Sequence, residues 1–571
     1  MRKKALFRIR ILTGLVLLVS LILIARLYHV QVLNGNYYAS KAESQYVHTT
    51  AQLYSRGAIY FTTKDGEAVS AAAIKSGYVL ALDPSRLTEP EKAYEIAKNH
   101  ISIDKDVFMY RANLPNRTFV EIEDKLTEIA ASEIEAANLD GVMLYRNQWR
   151  YYPGKDLSAR TIGFVGYNAD GTDLHGKYGL ERQYDHVLWR NNEKMSVNFF
   201  AEIFGNIGAL IFDRRNNSEA DVVTTIEPTV ARILDGELMK VNDKFDSVIT
   251  GGIIINPKDG SVYALNTVPT FDPNDRSNVP IEDFQNPLVE SVYEMGSIIK
   301  PLTVASGLDD GAVTAYSTYY DAGFLELNDF TIKNYDGKGR GTVDMQQVLN
   351  QSLNTGVAEI VKRMGRNSFR SYFKNLQLGS ETGIDLPNEA FGLVDNLDAP
   401  RDVEYATASF GQGIALTPIA TVRALSALGN GGYMITPHIV SSIKYTDGTV
   451  KEIMYPKGAQ VFKQSTSEEI SRMLTVVVDE ALKGGDVAME HYSIAAKTGT
   501  AQIADLNNGG YYEDKYLHSF FGYFPSYDPK FLVFLYTVEP QGVRYGSETL
   551  TDPFMDLVKF LINYYNIPPD R

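Results

Sequence analysis

Ser297 and Lys300 lie three residues apart in the segment Glu294-Met-Gly-Ser-Ile-Ile-Lys-Pro301, at the start of an apolar run. If a helix begins here, residues i and i+3 share one face, so the lysine side chain can reach the serine hydroxyl. A helix N-terminus also presents free backbone N–H groups, whose field favours developing negative charge. A hydroxyl beside a base in such a field has the chemistry of a nucleophile.

The spacing alone is weak evidence, because Ser371–Lys374 and Ser441–Lys444 repeat it. What distinguishes Ser297 is the order of the motifs that follow it. Ser352-Leu-Asn354 comes next, and Lys497-Thr-Gly-Thr500 comes after that. Neither rival serine is followed by a Ser-x-Asn before the Lys-Thr-Gly. The ordered set of three motifs therefore predicts that Ser297 is the nucleophile.

The first two motifs divide proton transfer between them. Lys300 serves as a base only when it is neutral, and neutrality requires burial or a nearby positive charge that lowers its pKa. Lys497 is the candidate for that charge, provided that its strand lies beside the helix of Ser297. Ser352 is expected to relay a proton to the leaving amine, and Asn354 to hold the substrate backbone. A local turn is the alternative interpretation of Ser352 and Asn354.

The third motif, Lys497, Thr498, Gly499 and Thr500, reads as an edge strand. Glycine at an edge lets a substrate strand approach closely, and the lysine and the threonines can bind a carboxylate. The backbone N–H groups of Ser297 and Thr500 are candidates for an oxyanion hole. An ordinary hairpin edge is the alternative interpretation. We predict no metal site and no cofactor.

Strands are predicted at both ends of the catalytic region, and helices in its middle. The predicted elements are a strand over 221–226, a helix from Pro228, hairpins over 252–265 and 519–538, and a closing helix from Asp552-Pro553. Ser297 and Ser352 fall between these elements. Because its strands come from both ends of this region, the sheet can form only when both ends are present. We therefore place the catalytic domain at 216–571.

Residues 33–215 contain no catalytic cluster, and we place a non-catalytic pedestal there, ending in the polar linker Arg214–Glu219. The predicted elements are a strand at Arg56–Tyr60, a turn at 64–66 that leads into residues 67–73, and a helix over 126–137. The arginines and glutamates of the pedestal are interpreted as solvated ion pairs. His175 and His186 are interpreted as surface residues rather than ligands.

Composition limits the classes of protein that remain. A chain of 571 residues is long enough for more than one domain, and a net charge of −15 argues against a nucleic-acid partner. The absence of cysteine excludes disulfides and thiolate metal sites.

Residues 11–25 are uncharged and almost wholly apolar, and the apolar character resumes after Arg26. Fifteen helical residues cover about 22 Å of a hydrocarbon core of about 30 Å, and flanking arginines can snorkel. We predict an uncleaved anchor over 11–32, with a cytoplasmic tail at 1–10 because its residues are basic. A cleaved signal peptide is the alternative, but no small-x-small site follows Ala25.

The chain resembles the class B penicillin-binding proteins, which are monofunctional peptidoglycan D,D-transpeptidases. The resemblance covers nearly the whole chain. Besides the three motifs, it rests on Arg26–Tyr37, Arg56–Ile59, Tyr178–Asp185, Phe271–Asn274, Thr382–Pro387, Phe410–Gly413 and His518–Gly522. It implies an α+β chain with one transmembrane helix and an elongated mixed α/β pedestal, the dimerisation domain of the family. It also implies a β-lactamase-like transpeptidase domain, an antiparallel sheet flanked by helices.

Carried over by motif, Ser297 is the acylated nucleophile and Lys300 its base, while the second motif relays the proton and the third binds the substrate. The resemblance implies a membrane enzyme that cross-links D-Ala-D-Ala stem peptides, with D,D-carboxypeptidase side activity, and that binds β-lactams. It also implies partners, namely a membrane glycosyltransferase and other cell-wall or division proteins. Gln45, in the Ala-Glu-Ser-Gln segment, favours the septal group over the elongation group.

The sequence differs from the family pattern at three places. Met295 replaces the usual proline before Gly296, Ser352-Leu-Asn354 replaces Ser-Ser-Asn, and Phe61–Gly66 replaces Asp-Arg-Asn-Gly. The first two leave the catalytic side chains intact.

Three other functions compete with a transpeptidase. A soluble β-lactamase needs neither anchor nor pedestal, and we find no glycosyltransferase motif in residues 33–215 that would indicate a bifunctional enzyme. A β-lactam sensor or an idle scaffold of the wall-building complex is the third. The presence of Ser352 and Lys497 argues against a catalytically inactive scaffold.

Overall fold

The computed structural model describes residues 55–168, 174–190, 219–505 and 507–571. The predicted cytoplasmic tail, the predicted anchor and Gln45 lie outside these ranges, as do residues 214–218 of the predicted linker. Across the ranges that are described, no helix is both long and apolar enough to cross a membrane.

The strands and α-helices are numbered in chain order. The strands are β1 (Ile59–Thr62), β2 (Ala68–Leu82), β3 (Val120–Leu126), β4 (Val142–Tyr151), β5 (Val165–Tyr167), β6 (Leu174–Gly176), β7 (Ala220–Thr224), β8 (Ile249–Ile255), β9 (Val262–Val268), β10 (Thr318–Asp321), β11 (Phe324–Leu327), β12 (Phe330–Lys333), β13 (Gly341–Asp344), β14 (Val440–Tyr445), β15 (Val450–Glu452), β16 (Ala495–Ala504), β17 (Tyr511–Phe524) and β18 (Phe531–Val538). The α-helices are α1 (Pro90–Ala97), α2 (Lys105–Ala112), α3 (Glu128–Ala136), α4 (Ala159–Ile162), α5 (Gly179–Gln183), α6 (Asp185–Leu188), α7 (Pro228–Phe245), α8 (Pro287–Glu290), α9 (Lys300–Asp310), α10 (Met345–Asn350), α11 (Asn354–Met364), α12 (Arg366–Asn375), α13 (Asp402–Ala408), α14 (Pro418–Gly429), α15 (Gln464–Val476), α16 (Gly546–Thr549) and α17 (Thr551–Tyr564).

The described residues form two compact units. Residues 74–149 make up the smaller one, and residues 56–73, 150–190 and 219–571 belong to the larger one. Two stretches of the segment predicted as pedestal thus pack with the catalytic region. The predicted boundary at residue 215 lies in a range that is not described.

In the smaller unit, helices α1, α2 and α3 share a core with strands β2 and β3, and its buried residues include Phe108 of α2, Leu80 of β2 and Leu126 of β3. Strand β3 pairs antiparallel with the later part of β2. The predicted helix over 126–137 is confirmed as α3. Its N-cap, Thr127, accepts a hydrogen bond from the backbone N–H of Ala130, which fixes where the helix begins.

In the larger unit, β1 pairs antiparallel with the first part of β2 and parallel with β7. The turn between β1 and β2 is closed by backbone hydrogen bonds of 2.9 Å between Thr63 and Glu67 and between Gly66 and Thr63. The strand and turn predicted from Arg56 to Ala73 are therefore confirmed. Strands β14 and β15 continue the pairing beyond β7, which confirms the strand predicted at 221–226.

The solvated ion pairs predicted for the pedestal are wrong for Arg56, Arg150 and Glu181, which are all buried. Arg56 Nε lies 2.7 Å and Arg150 Nε lies 2.6 Å from the Glu181 carboxylate. Burial alone raises the pKa of Glu181, but the two arginines outweigh it and lower the pKa below its ordinary value. The pattern of a short segment cannot reveal this burial, because the three partners come from distant parts of the sequence. His186 is exposed as predicted, and His175 contacts Asp185.

A five-stranded antiparallel sheet in the order β16-β17-β18-β8-β9 forms the centre of the larger unit. It confirms both predicted hairpins, β8–β9 and β17–β18. It also confirms that Lys497–Thr500 lies on an edge strand, β16.

Helices cover both faces of this sheet, as expected for an α+β domain. Successive side chains of β17 point to opposite faces. Phe520 stacks on Phe554 of α17, with ring centroids 4.4 Å apart, whereas Tyr523 hydrogen-bonds Ser471 of α15 at 2.8 Å. Burial of each ring contributes about 1.5–3 kcal/mol. Helices α7 and α17 confirm the helices predicted from residues 228 and 552.

Candidate active site

Ser297 lies in one turn of 3₁₀ helix, Gly296–Ile299, which leads directly into the buried helix α9. The α-helix predicted around Ser297 thus begins only at Lys300. Pro301 occupies its first turn, where no backbone N–H is needed. Gly296 has a φ of +63°, and a Cβ there would lie 2.7 Å from the carbonyl oxygen of Thr500. Glycine therefore lets the turn of Ser297 approach the third motif.

Lys300 is completely buried, with 0% of its surface exposed. Its Nζ lies 2.5 Å from the carbonyl oxygen of Ser352 and 3.1 Å from the Ser352 hydroxyl, and donates to both. Within the described residues, the hydrogen bonds of Lys300 thus go to the second motif rather than to the hydroxyl of Ser297. The spacing of the motif does not indicate that Lys300 bonds to Ser352, because it relates Lys300 to Ser297 alone.

The pKa of Lys300 lies well below its ordinary value. Burial in the core is the larger cause, and the positive charge of Lys497 is the second. This confirms both predicted causes of the shift. The role of Lys300 as the base for Ser297 stays a prediction.

Ser352 occupies the turn between α10 and α11, with a φ of +53°. Lys300 Nζ and Lys497 Nζ both lie 3.1 Å from its hydroxyl oxygen. A hydroxyl oxygen can accept two hydrogen bonds and still donate its own proton. Ser352 therefore connects the two lysines and is able to pass a proton onwards. Leu353, which stands where the family has serine, is buried in the core.

Asn354 is the first residue of α11 and lines the same cleft as Ser297. Its Nδ2 donates a hydrogen bond of 2.8 Å to the carbonyl oxygen of Lys333. Because a carbonyl only accepts, the atom that contacts it must be the amide nitrogen. The amide oxygen, Oδ1, is then left to accept a hydrogen bond from a substrate N–H.

Lys497 projects from edge strand β16, and only 3% of its surface is exposed. Besides Ser352, its Nζ contacts the carbonyl oxygen of Thr498 at 3.1 Å. Burial lowers the pKa of Lys497 to about 8. Lys497 is therefore charged over most of the physiological range and remains available to a substrate carboxylate.

Gly499 and Thr500 complete the third motif. A Cβ on Gly499 would lie 2.9 Å from the carbonyl oxygen of Met295, which Ser519 Oγ contacts at 2.8 Å. The hydroxyl oxygen of Thr500 accepts a hydrogen bond of 3.0 Å from the backbone N–H of Gly546, so its proton remains free to donate. The oxyanion hole made by the N–H groups of Ser297 and Thr500 stays a prediction.

The three motifs meet in one cleft of about 880 Å³. All predicted side chains except Lys300 line it, and Lys300 lies behind Ser352. The charged residues of its lining are Lys333, Lys483, Lys497 and Arg544, and all four are basic.

Sequence reasoning missed three segments of the cleft wall. These are residues 331–337 from β12 onwards, residues 477–483, which begin with the π-helical turn Val477–Ala481, and residues 544–547 at the start of α16. No local pattern marks any of them. They reach the cleft through tertiary contacts, such as the pairing of β12 with β11 and the contact of Gly546 with Thr500.

Comparison with known protein families finds two matches that together span most of the chain. Residues 250–558 match the penicillin binding protein transpeptidase domain, and residues 44–207 match the penicillin-binding protein dimerisation domain. The three catalytic motifs all lie within the first match.

Individual relatives agree with this assignment. Stage V sporulation protein D of Bacillus subtilis is 30% identical, over 97% of this chain and 84% of its own. Peptidoglycan D,D-transpeptidase FtsI of Escherichia coli is 25% identical, over 99% of this chain and 93% of its own.

Among solved structures, penicillin-binding protein 2X from Streptococcus thermophilus has the same fold, with a TM-score of 0.72 over 90% of this chain and 80% of that chain, at 20% identity. Transpeptidase and dimerisation domains occur here in one chain, in the order that class B members have. The chain therefore belongs to the class B penicillin-binding proteins.

Proposed function

We propose that the protein is a peptidoglycan D,D-transpeptidase that forms an acyl-enzyme on Ser297. The observation that carries the proposal is the convergence of Lys300 and Lys497 on the hydroxyl of Ser352, beside Ser297. This arrangement connects a proposed base of lowered pKa, behind the cleft, through a proton relay to a carboxylate-binding cation in the cleft. Relatives named D,D-transpeptidases support it.

In the acylation step, Ser297 Oγ attacks the carbonyl carbon of the penultimate D-alanine of a donor stem peptide. Its proton passes to neutral Lys300, and the backbone N–H groups of Ser297 and Thr500 hold the oxyanion. Lys300 returns the proton through Ser352 to the nitrogen of the terminal D-alanine, and that C–N bond breaks. Lys497 and Thr500 bind the terminal carboxylate throughout.

In the second step, an amine of an acceptor stem peptide attacks the ester on Ser297. Lys300 and Ser352 remove the amine proton and return a proton to Ser297 Oγ, which restores the enzyme. Water in place of the amine gives the D,D-carboxypeptidase side reaction. A β-lactam acylates Ser297 in the same way, because its strained amide stands in for the D-Ala-D-Ala bond.

The pH dependence of penicillin acylation is expected to be bell-shaped. The second-order acylation constant should fall in acid, as the base Lys300 gains a proton at a pKa below its ordinary value. It should also fall above about pH 8, as Lys497 loses the charge that holds the carboxylate. Rates of labelling measured between about pH 5 and pH 10 would test this.

A Lys497→Arg variant provides the control for this profile. Guanidinium stays charged throughout the range, so the basic limb should disappear while the acidic limb remains. A basic limb that persists in the variant would contradict the assignment to Lys497.

We further propose a septal role in a single-pass membrane protein, with residues 1–10 in the cytoplasm and residues 11–32 as the anchor. The basic residues before the apolar run and the FtsI relatives support this placement. The transpeptidase is proposed to act beside a membrane glycosyltransferase that supplies the nascent glycan strand. We propose that the anchor and the pedestal bind this glycosyltransferase.

Exchange of residues 1–32 for an unrelated single-span anchor would test this partnership. The chimera is expected to be acylated by penicillin at the normal rate and yet to fail to support growth of a depletion strain. Full complementation would show that the anchor is only a tether. Depleted cells that divide normally but lose their shape would assign the protein to elongation instead.

A further inference from the structure

The charge of the cleft exceeds what one substrate carboxylate requires. The chain has a net charge of −15, yet all charged residues that line the cleft are basic. Lys497 is committed to the terminal carboxylate of the substrate, and Lys483 is paired with Asp552. Lys333 and Arg544 also line the cleft, and within the described part of the chain neither forms an ion pair. A cleft of this charge favours a substrate that carries a second negative group.

Arg544 is the better placed of the two. Arg544 is exposed and lines the cleft, and no ion pair between described residues involves its guanidinium, so its donors are available to a ligand. Guanidinium offers a planar fork of N–H donors that matches a carboxylate in geometry, whereas the ammonium of Lys333 is a point charge.

The backbone of Arg544 is fixed directly to the third motif. His518 pairs across the sheet from Thr500, and its Nε2 contacts the carbonyl oxygen of Arg544 at 3.0 Å. Burial lowers the pKa of His518 to about 4, so the ring is neutral. Since a carbonyl only accepts, Nε2 carries the proton, and Nδ1 accepts from Thr549 Oγ1 at 3.0 Å.

A second tether lies just beyond Arg544. The backbone N–H of Gly546 donates to Thr500 Oγ1 at 3.0 Å. The residue between the two tethers, Tyr545, makes an edge contact with Tyr335 from another segment of the cleft wall, with ring centroids 5.7 Å apart. The guanidinium of Arg544 lies 5.7 Å from the Tyr545 ring. The backbone at Arg544 is thus fixed relative to Thr500, which is proposed to bind the terminal carboxylate, and the exposed guanidinium projects from this fixed point into the lining of the cleft.

We propose that Arg544 is a specificity-determining residue that binds a second carboxylate of the donor stem peptide, upstream of its terminal one. This inference rests on the proposed transpeptidase function. The ligand class is a peptide with a free carboxylate on a residue that precedes the D-Ala-D-Ala end. Arg544 therefore selects donors by the charge of their upstream residues.

Two penicillins that differ by one carboxylate provide the probe. Carbenicillin is benzylpenicillin with an added carboxylate on its acyl side chain, which occupies the place of the upstream stem-peptide residues. The second-order acylation constants of both are measured on the full-length protein in detergent. The ratio of the carbenicillin constant to the benzylpenicillin constant does not depend on the folded fraction, so partial misfolding of a variant cannot mimic the effect.

In Arg544→Gln this ratio is expected to fall about tenfold, as for the loss of one charge-assisted hydrogen bond. Lys333→Gln is the matched control, because it removes one positive charge from the same cleft. Its ratio should change by less than about threefold. Arg544→Lys should recover part of the loss, because it keeps the charge without the fork.

Other outcomes would separate this inference from the function on which it rests. An unchanged ratio in Arg544→Gln, or equal falls in Arg544→Gln and Lys333→Gln, would overturn the role of Arg544 and leave the transpeptidase proposal intact. If neither penicillin acylates the wild-type protein, the proposed function fails, and this inference fails with it.

Discussion

Ser297→Ala is expected to lose all covalent labelling by a fluorescent penicillin, because Ser297 begins the ordered set of three motifs and lies in the turn that packs against Thr500 of the third one. Mass spectrometry of the penicillin-treated wild-type protein should find the adduct on the peptide that contains Ser297. The loss should be complete rather than partial, since the ester bond itself is made to the Ser297 oxygen.

The two rival serines serve as controls for this prediction. Lys374 is held by two hydrogen bonds of 2.9 Å to Asp398, which occupies it away from Ser371. Ser441 and Lys444 lie three residues apart on strand β14, where such residues point to opposite faces. Ser371→Ala and Ser441→Ala should therefore label like wild type. An adduct on either serine, or normal labelling of Ser297→Ala, would contradict the assignment.

The fold was predicted best where local pattern decides the structure. The hairpins β8–β9 and β17–β18 and the helices α7 and α17 follow from turn residues and apolar periodicity, which are properties of short segments. The third motif was placed on an edge strand for the same reason, because glycine and threonine there suit a strand that leaves one side open.

The predictions were incomplete where partners come from distant segments. Arg56 and Glu181 look like surface residues in the sequence, and only the fold shows that Glu181 forms two buried ion pairs, one with Arg56 and one with Arg150. In the same way, spacing placed Lys300 beside Ser297, while its hydrogen bonds go to Ser352. Arg544 carries no motif at all, and its position depends on contacts with His518 and Tyr545.

The proposed mechanism gives different tasks to the two lysines of the site. Both are buried, and both contact the Ser352 hydroxyl, but burial lowers the pKa of Lys497 only to about 8. Burial lowers the pKa of Lys300 well below its ordinary value, and the charge of Lys497 is a second, smaller cause of that shift. In the proposed mechanism, the charge of Lys497 adds to burial in favouring the neutral form of Lys300, and this separates the two roles that acid–base catalysis requires.

Lys300→Arg is expected to lower the rate of penicillin acylation at least about a thousandfold, because guanidinium does not give up its proton and cannot act as a base. Lys300→Met, which keeps the buried length without a base, should lose as much. Lys497→Arg should retain more activity than Lys497→Ala, since only the charge is needed there. Acylation rates of the four variants decide the question, with thermal unfolding as the check on folding. A fully active Lys300→Arg would remove Lys300 from the base role, and equal rates for the two Lys497 variants would remove charge as the contribution of Lys497.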